Sequence, residues 1–203
     1  YTGGKYKILP QILPFFPTDV DQAVDLFCGG CNVDINLDCN KVLFNDNNKY
    51  LLGLLNVLRT TPKEHIINWI YATIEKYHLS LVSKNGYEFY HCESSTGLGE
   101  YNKKGFNQLR ETFNAKENMD AEYFLMLYLL IVYSFNNQLR FNGKGKFNLP
   151  VGKRDFNKKM QSKLFDFIDR IKNSDYKFTN EDFRNIHLDD YTNKSFFYVD
   201  PPY

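Results

Sequence analysis

The spacing of apolar positions along this chain changes several times, and each change marks a new element. "AVDLF" (Ala23–Phe27) is a short continuous apolar run that enters the glycine turn "CGGCN". Runs of this length bounded by turn residues predict strands buried on both faces. "KVLFND" (Lys41–Asp46) repeats the pattern and ends on an acid, after which "KYLLGLLNVL" (Lys49–Leu58) switches to helical spacing. Strand, glycine turn, short helix, strand, acid and helix outline a parallel α/β unit of the nucleotide-binding kind.

After Pro62 the pattern becomes helical. "KEHIINWIYATIEKYHL" (Lys63–Leu79) places Ile66, Ile67, Ile70 and Ile74 on one face. "LVSKNGYEFYHC" (Leu81–Cys92) predicts a hairpin turning at Asn85-Gly86. A Gly-Leu-Gly loop then leads to a helix through "NQLRETFNA" and to an apolar helix beginning near Asp120. "RFNGKGKFNLPVG" (Arg140–Gly152) predicts a two-stranded ribbon with a basic, glycine-containing turn, and "KMQSKLFDFIDRIK" (Lys159–Lys172) an amphipathic helix. "SFFYVD" (Ser195–Asp200) returns to the strand pattern of the beginning. The expected architecture is an α/β sheet interrupted by a mostly helical insertion, without repeats or low-complexity tracts.

Composition adds a folded, globular class, with 43% hydrophobic and 24% charged residues. A net charge of +1 does not announce a nucleic-acid partner, and the question passes to the distribution of charge, because binding is set by local patches as well as by total charge. Between Arg140 and Lys163 stand eight basic residues and one acid, Asp155, with Phe141, Phe147 and Phe156 interleaved. Such a run is either a solvated face or an element that tracks phosphates. Four cysteines are too sparse for a disulfide scaffold and imply a reducing, cytoplasmic location. The apolar run Tyr123–Tyr133 is well short of the ~20 residues a bilayer span needs, so no membrane partner is expected. Tyr1 rather than Met at the start implies that the natural N-terminus lies upstream.

The candidate chemistry sits at the ends of the predicted strands. In "DPPY", Asp200 ends a strand where parallel sheets bind ligands, and Pro201 lacks an N–H. A carboxylate beside a carbonyl offers two acceptors to an exocyclic NH2, and Tyr203 offers a face on which a base can stack; the alternative is a plain Pro-Pro turn. Gly29 lets the backbone approach a ligand closely. Asp46 is placed to accept from ribose hydroxyls or, alternatively, to cap the following helix. Cys28-x-x-Cys31 alone admits a dithiol, or half of a zinc site that Cys39 with Cys92 or His91 would have to complete. No metal is expected, since those remaining ligands would meet only by accident of folding, and the dithiol reading leaves Asp46 and D-P-P-Y unexplained. His65, His78, His91 and His187 show no partner spacing and are read as structural.

Taken in order, "YTGGK", "DLFCGG", "FND", a long insertion and "FFYVDPPY" resemble the Dam-type (D12 class) DNA adenine-N6 methyltransferases over the whole chain. "NNQLRFNGKGKFNLPVGK" (Asn136–Lys153) is similar to that family's R-Y-N…G-x-F-N-x-P-x-G segment. The resemblance implies a Rossmann-like S-adenosylmethionine-dependent sheet that is incomplete here, because in the family further strands follow D-P-P-Y; the chain would then be an N-terminal portion. It divides the chain into a first methyltransferase part (1–58), a target-recognition insertion carrying a β-hairpin (59–173) and a second methyltransferase part (174–203). It makes Tyr1, Lys5, Asp46 and Asp200 contacts of S-adenosyl-L-methionine, with Phe27 and Gly29 shaping the same pocket. Asp200, Pro201 and Tyr203 would hold the target adenine. Arg140 falls at the guanine-reading position, Pro150 and Asn136 at neighbouring DNA contacts, and Lys144 and Lys146 on a turn that reaches phosphates. Two positions depart from the pattern: Cys31 replaces the last glycine of F-x-G-x-G, and Gln138 stands where Dam itself carries a leucine, so no target sequence carries over.

The expected function is methyl transfer to N6 of a flipped adenine in double-stranded DNA, with S-adenosylhomocysteine as product. A cognate restriction endonuclease is the expected cellular companion. Two other readings share these features: an amino-methyltransferase acting on RNA or on cytosine N4, and a catalytically silent DNA-binding fragment.

Overall fold

The computed structural model describes residues 5–39, 41–172 and 174–201. Within them it is mixed α/β, with a four-stranded parallel sheet and seven α-helices. The chain divides into two compact units, one formed by residues 1–59 with 169–203 and the other by 60–168.

The first unit opens with a 3-10 turn at Lys5–Lys7 and a short helix α1 (Leu9–Ile12). Strand β1 (Gln22–Asp25) and strand β2 (Lys41–Asn45) follow, then helix α2 (Lys49–Thr60). Asn48 caps α2, its Oδ1 accepting from the N–H groups of Tyr50 and Leu51. Leu51, Leu52, Leu54, Leu55 and Leu58 form its buried face. The remaining strands come from the far end of the chain, β3 (Asp175–Thr179) and β4 (Ser195–Tyr198). The sheet order is β3-β2-β1-β4, all parallel. Its register aligns Asp25 with Phe44 on one side and with Tyr198 on the other, so the carboxyl ends of the strands finish together. Val24 and Phe44 are fully buried at the centre, where Phe44 meets Tyr176 edge-on and stacks on Phe178. Phe16 covers β4 through Phe196 and Tyr198.

The second unit is helical: α3 (Lys63–Lys76), α4 (Val82–Asn85), α5 (Gly99–Ala115), α6 (Ala121–Tyr133) and most of α7 (Lys158–Lys172). Helix α6 is apolar all round and is buried on nearly every side, as expected of a helix at the centre of a bundle. Asp120 is its N-cap, accepting from the Tyr123 N–H. Ile66 and Ile70 of α3, Phe106, Leu109 and Phe113 of α5, and Leu127, Leu130 and Tyr133 of α6 complete the core.

Two expectations need correction. The segment Leu81–Cys92 is not a hairpin but helix α4 followed by a 3-10 turn at Glu88–Tyr90. Gly86 (φ +75°) serves as the C-cap of α4, with its N–H donating to the Val82 carbonyl. The amides that a hairpin would pair are taken by buried side chains: the Val82 N–H donates to Asp155 Oδ2 (2.6 Å) and the Leu81 N–H to the Tyr90 hydroxyl (2.7 Å). The second difference is β3, a strand that the apolar pattern did not predict. It lies at the edge of the sheet, with Asp175 and Lys177 exposed and Tyr176 buried, so it carries no continuous apolar run.

Candidate functional site

A cavity of about 680 Å³ opens in the first unit, at the carboxyl ends of β1, β2 and β4. That size falls within the roughly 300–1,000 Å³ of small-molecule sites, and open parallel sheets bind ligands at this edge where the strand order reverses. The reversal here lies between β1 and β4, since β1 is followed by β2 on one side and by β4, much later in the chain, on the other. The lining includes Lys5, Asp25, Phe27, Gly29, Asp46, Phe183, Asp200 and Pro201.

Backbone geometry at the cavity rim is set by two residues of "FND". The turn after β1 places Gly29 at φ +48°, a conformation natural to glycine. The Gly29 N–H donates to Asp46 Oδ2 (2.9 Å), and the Asn48 N–H to Asp46 Oδ1 (2.8 Å). Asp46 therefore clamps the glycine turn against the start of α2, while Asn48 rather than Asp46 is the helix cap. Each carboxylate oxygen keeps a lone pair for a ligand donor.

Asn45 is 1% exposed and uses every hydrogen-bonding valence of its amide. Its Nδ2 donates to the Leu26 and Glu181 carbonyls, and its Oδ1 accepts from Thr179 Oγ1 and the Glu181 N–H. One side chain thus ties the ends of β1, β2 and β3 together.

Lys5 Nζ lies 2.8 Å from Asp200 Oδ2, so the two predicted charges meet at the cavity. Phe27 packs against Phe183 with ring centroids 5.3 Å apart, and Phe183 is half exposed. This pair gives the cavity an apolar flank suited to a planar ring. At the rim, Arg184 donates to both oxygens of Asp182 and holds its carboxyl well below the usual carboxylate range. Tyr1 and Tyr203, expected respectively to contact cofactor and to stack on the target base, lie outside the described residues.

In the second unit the predicted ribbon is reduced to one isolated antiparallel bridge, Phe141↔Phe147, while Val151 at its far end bridges to Ser134 at the end of α6. Its tip is a turn in which Asn142 Oδ1 accepts from the N–H groups of Lys144 and Lys146, with Gly145 at φ +70°. Helix α5 holds the ribbon. Asn114 accepts from the Phe147 N–H (2.8 Å) and donates to the Phe147 carbonyl (3.0 Å), and Arg110 Nη1 donates to the Leu149 carbonyl (2.9 Å). The end of α6 is joined to it as well: the Phe135 N–H donates to the Pro150 carbonyl, and the Gly152 N–H to the Tyr133 carbonyl. A Cβ on Gly152 would collide with the Ser134 carbonyl, so only glycine fits this crossing.

Asn136 is exposed in the left-handed region (φ +56°), next to exposed Phe135. Arg140 is exposed, and Lys144 projects from the tip. Lys146 behaves differently from Lys144, because its ammonium donates to the Asn114 carbonyl at the end of α5.

Sequence reasoning passed over Asp25, Asn45, Phe183, Arg110 and Asn114. Asn45 had a signal, since it immediately precedes the strand-end acid. Phe183 could be placed only once β3 was known. The four cysteines form no disulfide with one another, and among the described residues no three His, Cys, Asp or Glu side chains cluster as metal ligands. Cys31 adopts φ +54°, the left-handed conformation that glycine would take without strain.

Comparison with known proteins places the sequence in a lineage. Type II methyltransferase M.FokI of Planomicrobium okeanokoites is 34% identical over 206 residues, covering all of this chain and 28% of that protein. Modification methylase StsI of Streptococcus sanguinis is 33% identical over 205 residues, again covering all of this chain and 28% of the relative. The DNA adenine methylase of Escherichia coli (strain K12) is 27% identical over 203 residues, all of this chain and 63% of that enzyme. The chain therefore spans little more than a quarter of the length of the first two relatives. The family model described as D12 class N6 adenine-specific DNA methyltransferase matches residues 1–203. With strand-end acids, glycine turn and the Asp200-Pro201 pair arranged around one cavity and the match running the whole length, the chain belongs to the D12 class N6 adenine-specific DNA methyltransferase family.

Proposed function

We propose that this chain forms the cofactor- and adenine-binding part, with the DNA-reading part, of a methyltransferase that modifies N6 of adenine in duplex DNA. On this reading the first unit is the Rossmann-like catalytic sheet and residues 60–168 are the target-recognition insertion. The observation that carries it is the Asp200-Pro201 pair, which follows β4 into the cavity and meets Lys5 there.

The cavity's residues fit S-adenosyl-L-methionine: an aromatic flank of Phe27 and Phe183 for its base, Asp46 for its ribose hydroxyls, and Lys5, Asp25 and Asp200 for the charged amino-acid end. When bound, S-adenosyl-L-methionine supplies an electrophilic methyl group. The chain's own residues prepare the acceptor. Lys5 occupies Oδ2 of Asp200, leaving Oδ1, with the Pro201 carbonyl, to accept both hydrogens of an adenine amine. Two acceptors on the N–H groups draw the nitrogen lone pair out of ring conjugation. Holding that lone pair in line with the methyl group supplies much of the rate through positioning. Tyr203 adds a stacking face in this proposal. The adenine leaves the helical stack because its N6 cannot be reached inside a duplex.

On the second unit, Arg140 reads a guanine edge, Asn136 and Pro150 make neighbouring contacts, and Lys144 meets phosphate. The proposal includes a cytoplasmic location and a cognate restriction endonuclease as cellular companion, supported by relatives named modification methylases.

The test is to incubate the full-length protein with unmethylated plasmid and S-adenosylmethionine, identify the modified nucleoside by mass spectrometry and map its positions. N6-methyladenine at one recurring sequence is expected. N4-methylcytosine, methylation confined to an RNA duplex, or duplex binding with neither cofactor binding nor methylation would overturn the proposal.

A further inference from the structure

Arg140 does not stand free at the base of the ribbon. Its Nε donates to Asn148 Oδ1 at 2.9 Å and its Nη2 to the Asn148 backbone carbonyl at 3.3 Å, while the Asn148 N–H donates back to the Arg140 carbonyl at 3.3 Å. The two residues therefore face each other across the ribbon, and the guanidinium takes a place in the ladder between them. A guanidinium has five N–H donors in a planar fork, and it can address a guanine either through its Nε/Nη2 side or through its Nη1/Nη2 end. Asn148 occupies the side. Three donors remain: one on Nη1 and one on Nη2 form the outward-facing end, and the second N–H of Nη1 lies on the far flank beside Cδ.

We infer that Asn148 is a positioning residue for target selection: it locks the plane of Arg140 so that only the Nη1/Nη2 end is offered to guanine O6 and N7. The inference rests on the reading of Arg140 proposed above. Its physical basis is entropy and geometry. An exposed arginine otherwise samples many rotamers, and a bidentate pair with O6 and N7 needs both position and plane. A clasp made before binding removes that cost for guanine and leaves the fork misaligned for other bases. The Asn148 side chain is itself exposed, so its truncation leaves the core intact.

The test uses full-length protein, S-adenosylmethionine and a DNA duplex library randomised around the methylated adenine, read as the base preference at each flanking position. Wild type is expected to show one strong guanine preference that Arg140→Ala removes. Asn148→Ala should reduce that same preference by roughly ten-fold while leaving the other positions unchanged. Asn148→Asp keeps an acceptor at Oδ1, so it should retain the guanine preference while lowering activity on every sequence, because it adds negative charge beside DNA. If Asn148→Ala keeps the preference that Arg140→Ala removes, the inference is wrong and the role of Arg140 stands. If Asn148→Asp loses the preference as fully as alanine does, the acceptor is not what matters and the inference again fails. If Arg140→Ala changes no base preference, or no adenine is methylated by wild type, the parent reading falls and the inference with it.

Discussion

The cavity and the ribbon are built by opposite means. The cavity rim consists of strand ends and a glycine turn, and its clamps, Asp46 and Asn45, are buried and bond backbone groups with the one exception of the Thr179 hydroxyl. The ribbon has one isolated bridge of its own, is tied at its far end to α6 through backbone groups, and is otherwise held by side chains, Asn114 and Arg110 from α5 and Asn148 on Arg140. A backbone-built site suits a ligand that never changes. A ribbon pinned by side chains can change its surface through single substitutions that leave the backbone path alone.

The largest expected effect tests the cavity alone. Asp200→Ala should lower methyl transfer by about 10²–10³-fold or more, as for removal of one preorganised polar group at a reacting centre, while duplex binding measured by fluorescence anisotropy stays near wild type. Turnover close to wild type would mean that Asp200 serves only the ion pair with Lys5. Next comes Asp46→Ala, which leaves the Gly29 and Asn48 amides without their acceptor and removes the proposed acceptor for the ligand. Affinity for S-adenosylhomocysteine in calorimetry should fall by about 1.5–3 kcal/mol. Unchanged affinity would show that the clamp is dispensable to the cavity.

Asn114→Ala carries the contrast to the ribbon. Losing both hydrogen bonds to Phe147 should lower stability to urea by about 1–3 kcal/mol and blunt sequence discrimination, yet leave S-adenosylhomocysteine affinity unchanged. A loss of cofactor affinity of similar size would erase the distinction between the regions. The smallest effect separates the two turn lysines. Lys144→Ala should weaken all duplexes alike and reduce the salt slope of binding by about 1. Lys146→Ala should change that slope less, because its ammonium already serves the Asn114 carbonyl. Equal slopes for both would place both lysines on phosphate.

Local pattern was sufficient where burial acts on a whole element. Strands β1 and β2 are central in the sheet and announce themselves as apolar runs, and α2, α3, α5, α6 and α7 follow from helical periodicity. The strand-end acids Asp46 and Asp200, and the basic turn at Lys144, were legible because a sheet edge and a glycine turn have local sequence signatures. Pattern failed where a distant partner decides. Edge strand β3 is shielded on one face only, so alternation replaces the apolar run. Asn85-Gly86 favours left-handed backbone equally as a hairpin turn or as a helix C-cap, and Asp155, 73 residues from Val82, selects the cap. Residue type and order determined the family and the acids that stand at the ends of β2 and β4, because an apolar run ending on an acid is a local pattern. The tertiary structure alone decided what the polar side chains do there: Asn45 joins three strand ends and Asp46 clamps a turn, since a hydrogen bond depends on where its partner lies in space, and those partners come from separate parts of the chain.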